Sequence, residues 1–213
     1  MFYETRQRDK ALLPRDPFKA IVAPRPIGWI STRSKDGLIN LAPYSFFNAF
    51  SSAPPIVGFS SEGAKDSAAF ARDSGEFVVN LATMDLLHQM SQSSAPLPRG
   101  QSEFEHTGLT MAPCRLVAAP RVAESHAAME CKVTEIVTLK NVGGEPLDNY
   151  LVFGEVLAFH LDERFIRNGV FDTAAAQSLA RCGYQDYAVA DKMIALARPT
   201  GGGDAANVAK GSG

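Results

Sequence analysis

Apolar and polar positions along this chain follow a two-residue period more often than a helical one. From Ala127 to Leu139 the alternation is strict, with Met129, Cys131 and Val133 on one face and Glu130, Lys132 and Thr134 on the other. That period marks a half-buried strand. Asn141-Val142-Gly143-Gly144-Glu145-Pro146 turns the chain, and Tyr150 to Leu161 returns as a second long strand. Upstream, Phe18 to Ala23, between Pro17 and Pro24, reads as a first strand. Gly28–Ser34 and Leu38–Leu41 flank Lys35-Asp36-Gly37, which signals a hairpin. Pro55 to Phe59 is a short apolar run that suits a buried strand, and Glu76 to Leu81 adds another. The helical stretches are short. Asp66 to Arg72 has Asp66 or Ser67 to cap it and Gly75 to end it. Met84–Met90 and Thr173–Ala180 are the other two, the last stopping near Gly183. Ser91 to Gln101, with its serines, prolines and glycine, reads as a loop. Two long antiparallel strands and several short ones predict a mainly β fold with peripheral helices, an antiparallel barrel closed or nearly closed.

Composition narrows the function classes. A chain of 213 residues, 46% hydrophobic and 21% charged, can build one domain with a sizeable core. Residues 191–213 are expected to be a flexible tail, its end from Gly201 having little apolar content; residues 1–17 are expected to be an N-terminal extension, and 18–190 the domain proper. The formal net charge of -2 gives no basic surplus, which argues against nucleic acid or an anionic membrane as partner. No apolar run is long enough to cross a bilayer, and the mixed-charge start does not resemble a signal peptide. Cys114, Cys131 and Cys182 are odd in number and widely spaced, so they predict no disulfide framework and a cytoplasmic location. None of His88, His106, His126 and His160 has the spacing of a metal motif. His160, at the end of a long strand, is a candidate pocket residue or a strand-end histidine satisfied by backbone.

Candidate chemistry lies in two early segments. Gly58-Phe59-Ser60-Ser61-Glu62-Gly63-Ala64-Lys65 approaches two known motifs and meets neither. A nucleophile elbow would need glycine where Glu62 stands, and a Walker A loop would need lysine where Ala64 stands. What is left is a strand end, a Ser/Gly loop, Lys65 and a helix start at Asp66. Ser60, Ser61 and Lys65 then offer hydroxyls and an ammonium to one phosphate group, with the helix dipole in favour. The alternative is a solvated turn with an exposed lysine. The second segment sets Tyr44, Ser45, Phe46, Phe47 and Asn48 after Pro43, which is expected to halt strand pairing. Ring faces beside hydroxyls, an amide and free backbone N–H groups suit a flat, partly polar ligand. Arg25, between two prolines, is either a second phosphate contact or a cation at a strand entry. Trp29 is expected against the barrel wall or a ligand edge.

Pro24–Thr32 followed by Asn40–Asn48 resembles the flavin reductase-like, FMN-binding split-barrel family, its flavoredoxin-like branch in particular. Pro54-Pro55, Lys65-Asp66, Phe77–Asn80 and Gly154-Glu155-Val156 agree, and the resemblance runs from Phe18 to Tyr187. It implies a split β-barrel in which Trp29, Ser31, Tyr44, Ser45, Phe46, Phe47, Asn48, Ser60, Ser61, Lys65 and Asp66 line an FMN site. It also implies a homodimer in which Arg181 and a nearby tyrosine reach the cofactor region of a neighbouring subunit. This chain departs from the pattern at Cys182 and at Tyr184 after Gly183. The implied activity is an NAD(P)H:flavin oxidoreductase, with NADH or NADPH stacking transiently on the flavin; no Gly-x-Gly-x-x-Gly signals a separate nicotinamide module. An electron-accepting protein or monooxygenase is an implied partner. An FMN electron carrier that does not oxidise NAD(P)H, and a ligand-binding barrel without redox chemistry, are the alternatives.

Overall fold

The computed structural model describes residues 1–98 and 101–197. The expected tail from residue 198 onward and residues 99–100 of the expected loop lie outside the described residues. In chain order the strands are β1 (Arg25–Pro26), β2 (Gly28–Arg33), β3 (Ile39–Tyr44), β4 (Phe47–Ser52), β5 (Pro55–Glu62), β6 (Glu76–Leu81) and β7 (Met111–Ala112). There follow β8 (Arg121–Val122), β9 (Ala127–Lys140), β10 (Pro146–Leu161), β11 (Ile166–Arg167), β12 (Val170–Phe171), β13 (Ser178–Arg181) and β14 (Tyr187–Ala190). The α-helices are α1 (Phe18–Ile21), α2 (Asp66–Ser74), α3 (Leu87–Gln92), α4 (Glu103–Thr107) and α5 (Thr173–Ala176).

Seven strands form one antiparallel sheet in the order β3-β2-β6-β9-β10-β5-β4. β3 and β4 sit at its opposite edges, yet only Ser45 and Phe46 join them in the chain. The sheet must therefore curl until its edges meet. They meet where the Ser60 N–H donates to the Phe46 carbonyl and the Tyr44 and Phe59 rings stand 4.9 Å apart. This is a split β-barrel. Its interior is filled by Ile30, Phe59, Phe77, Val79, Cys131 and Val152, and α2 plugs one end with Ala68 and Ala71. The tight wall demands missing side chains. A Cβ on Gly154 would lie 2.4 Å from the Phe77 ring, and one on Gly28 would lie 2.5 Å from the Phe47 ring. A second core lies on the other face of β2 and β3, where α3 and α4 cover Trp29 and Leu41 with Leu86, Met90 and Phe104.

The hairpin, the β5 and β6 runs and the two long strands form where the sequence reading placed them. Five local expectations are corrected. Phe18–Ile21 is a helical turn: the Asp16 carboxylate accepts from the Phe18 N–H, and the Val22 N–H donates to the Phe18 carbonyl. Pro43 does not halt pairing; it sits opposite Trp29 within β3, which is an edge strand, so a missing N–H costs no ladder bond. The N-cap of α2 is Lys65, and no side chain caps the helix. The helix expected over 173–180 stops at Ala176, because Gln177 takes a left-handed backbone and Ser178–Arg181 instead pairs with β1 and β14. Glu130, on the face expected to be polar, has no exposure, because residues 115–117 fold over it.

Candidate functional site

Side chains on alternate positions of β3 point the same way. Asn40, Ala42 and Tyr44 therefore share a face, and that face looks at the start of α2. Between them lies a cavity of about 460 Å³, closed on its far side by Ser93–Leu97 and Glu103. The Asn40 amide donates to Ser67 Oγ at 2.7 Å. The Tyr44 hydroxyl bonds both Ser67 and Ser61, and burial pushes its pKa up. Lys65 and Asp66 stand at the rim, and among the described residues Lys65 makes no ion pair. Because no side chain caps α2, its first N–H groups lack partners within the helix and face this end of the cavity. Glu103 supplies the contrary charge. One of its oxygens accepts from the Leu41 N–H at 2.9 Å, and burial, helped by Asp66, raises its pKa.

A second cavity of about 450 Å³ adjoins the first across Pro43 and Ser94. Ile27, Met90 and Tyr187 give it apolar walls, and Ser45, Gln185 and Arg181 give it polar ones. The Arg181 guanidinium lies 4.5 Å over the Tyr187 ring and donates to the carbonyls of Tyr184 and Gln185. It is thus held by a stack and by two carbonyls, and among the described residues it makes no ion pair. A third cavity, of about 560 Å³ and almost wholly apolar, opens elsewhere on the barrel between Phe47, Met129, Phe159, Leu161 and Phe171.

The structure brings five of the expected residues, Tyr44, Ser45, Lys65, Asp66 and Arg181, into the two adjoining cavities. Ser61 is buried behind them and reaches the first cavity through Tyr44. The others stand apart. Trp29 is wholly buried and donates to Ser93 Oγ, so it touches the cavity wall from behind. Ser31, equally buried, donates to the Pro120 carbonyl. Ser60 lines neither adjoining cavity, and its N–H closes the barrel. Phe47 faces the apolar cavity, Asn48 is exposed and bonds the neighbouring Ala49 N–H, and Phe46 is exposed near Phe18 and Arg25. Arg25 is 7% exposed and donates to the carbonyls of Lys19, Val22 and Cys182, which makes it a structural cation. His160 bonds a buried carboxylate, Glu130, at 2.6 Å, far from a backbone role. Sequence reading missed Asn40, Ser67 and Glu103 as site residues; the one signal for the first was its four-residue offset from Tyr44, which puts both on one face of a strand, and for the second its place two residues after Lys65 at the helix start.

A family model described as a flavin reductase like domain matches residues 22–177. The chain belongs to the flavin reductase-like family. That membership assigns it a flavin-linked redox function. Among curated relatives, a protein of Halalkalibacterium halodurans is 36% identical over 184 residues, covering 84% of this chain and 88% of its own length. Among solved structures, nitrilotriacetate monooxygenase component B from Bacillus cereus superposes with a TM-score of 0.83 at 25% identity, covering 92% of this chain and 98% of that one. Flavoredoxin of Desulfovibrio vulgaris (Miyazaki F) gives 0.73 at 20% identity, covering 83% and 92%, a likeness of fold. Among the described residues no helix is long and apolar enough to cross a membrane.

Proposed function

We propose that the chain is an FMN-dependent oxidoreductase that takes hydride from NADH or NADPH and passes electrons to free flavin or to another acceptor. One observation carries this reading: a free lysine at an uncapped helix start and a held arginine lie in two cavities that share a wall. Each cavity falls in the size range of small-molecule sites. The donor set fits a planar ligand with a single phosphate. Lys65 and the first N–H groups of α2 would hold the phosphate, while Asn40, Tyr44 and Ser67 would meet a hydroxylated chain. When bound, a flavin supplies the hydride and electron chemistry that no side chain here offers.

The chain's own residues have three tasks. Ile27, Pro43 and Met90 give the second cavity an apolar wall for a ring to lie against. Arg181, fixed by Tyr187 and two carbonyls, puts a positive charge where negative charge would gather, without having to reorient. Glu103, already drawn toward its neutral form, is placed to take up a proton when an anion enters beside Asp66. The large apolar cavity, rimmed by the exposed Phe159 and Leu161, supports a homodimer. The likeness to a named monooxygenase component supports an oxygenase as electron acceptor.

The test is optical. Purified protein mixed with micromolar FMN should bind it and turn yellow, and NADH or NADPH should bleach the colour without air. Refusal of FMN would overturn the assignment. Binding without bleaching would favour the electron-carrier reading, which the flavoredoxin-like fold supports.

A further inference from the structure

Outside the proposed flavin site, one group of side chains among the described residues combines sulfur, oxygen and nitrogen donors. Cys114, Glu130 and His160 each offer a ligand atom, and these atoms lie within 4.8 Å of one another. They come from three places: the segment between β7 and β8, the middle of β9, and the end of β10. We propose that they form a binding site for one zinc-type divalent cation, with solvent in the fourth position.

Ligand type comes first. A thiolate, an imidazole and a carboxylate together suit zinc and its substitutes cobalt and cadmium, and do not suit magnesium or calcium. Charge comes second. A dication would neutralise the two anions, Glu130 and a deprotonated Cys114, so the occupied cluster carries no net charge. Geometry comes third. Tetrahedral zinc with these donors sets its ligand atoms about 3.3–3.8 Å apart. His160 Nε2 and Glu130 Oε1 are 2.6 Å apart with a proton between them, so they need to open by about 1 Å. The cation would replace that proton. The outer partners are already present. The Arg115, Leu116 and Val117 N–H groups fix the carboxylate. The His160 side chain keeps 22% exposure, which gives the ion a way in and water a place to bind. In the balanced step the Cys114 S–H bond breaks, a sulfur–metal bond forms and one proton goes to solvent. The imidazole proton shifts from Nε2 to Nδ1. Burial, aided by the Glu130 charge, pushes the Cys114 thiol up to about 11, so binding competes with that proton across the neutral range.

Cobalt(II), titrated into the full chain, is the probe. The expected result is one equivalent per chain, the visible bands of four-coordinate cobalt and a thiolate-to-cobalt charge-transfer band. The apparent affinity should rise about tenfold per pH unit below the thiol pKa, because one thiol proton leaves. Cys182→Ser should keep these bands, and Cys114→Ser and His160→Gln should each lose them. Circular dichroism checks that each variant is folded, and His160→Gln serves if Cys114→Ser is not. No charge-transfer band at millimolar cobalt, or bands that survive in folded Cys114→Ser or His160→Gln, would overturn the proposal.

Discussion

The cavity beside α2 and the outer face of β9 each hold a carboxylate withdrawn from water, and the fold treats them in opposite ways. Glu130 is fully buried, yet three backbone N–H groups and His160 answer its oxygens, so its pKa falls despite the cost of burial. Glu103 is only half-buried, but it has one backbone partner and an acidic neighbour, so its pKa rises. Burial alone does not decide the charge; the supply of donors does. Glu130 ties a loop to the barrel. Glu103 is left with spare acceptor capacity facing a cavity, which is the condition of a group that meets a ligand.

The sharpest break of this contrast is Glu130→Ala. It would remove the acceptor of three N–H groups, that of Val117 buried and the other two partly so, and should cost about 3 kcal/mol in urea unfolding. A loss below 1 kcal/mol would mean that solvent reaches the loop and that the carboxylate is not a tie. Lys65→Ala should leave the unfolding midpoint unchanged, since Lys65 is exposed and makes no ion pair among the described residues. It should weaken FMN by on the order of 1.5–3 kcal/mol, roughly ten- to a hundredfold, in a fluorescence titration. Unchanged affinity would remove the phosphate assignment from the start of α2.

The pH response separates the two carboxylates by sign. Glu130 titrates lower when folded, so its contribution is present above the ordinary value of 4.5 and is lost as the pH falls through its folded pKa. Glu103 titrates higher when folded, so its contribution is full below 4.5 and is lost as the pH rises through its folded pKa. Denaturant melts of Glu103→Gln and the parent should therefore diverge as the pH rises from 4.5, in favour of the variant, by less than about 1 kcal/mol because the site is half open. Parallel curves would show that Glu103 is solvated. The smallest effect is on the ligand: at pH 8 Glu103→Gln should tighten FMN by about two- to fivefold, since one anion has been removed from the cavity.

Much of the barrel was legible because period and punctuation are local. Alternation marked β9, the Asn141–Pro146 turn marked the return of β10, and Asp36-Gly37 marked the hairpin. The errors share a cause. Phe18–Ile21 and Ser178–Arg181 are four-residue segments, too short for a period to set their state; the first forms a helical turn and the second pairs with the distant β1 and with β14. Pro43 was misread because only the strand order reveals that β3 is an edge. The site was legible in part for the same reason. Tyr44 and Lys65 belong to motifs within a few residues and Arg181 was named through the family likeness, whereas the meeting of Asn40, Ser67 and Glu103 in one cavity depends on the curl of the sheet and the placement of α2 and α4.

The order of hydrophobic and polar residues by itself determined the class of fold, the hairpin, the long strand pair and the family likeness, since each rests on contacts between residues close in the chain or on motifs of fixed spacing. Which polar groups meet in a cavity, and which buried acid keeps its charge, was decided only in three dimensions. Electrostatic and hydrogen-bond partners here stand as many as 157 residues apart in sequence, as Arg25 and the Cys182 carbonyl do, and no local pattern records such a pairing.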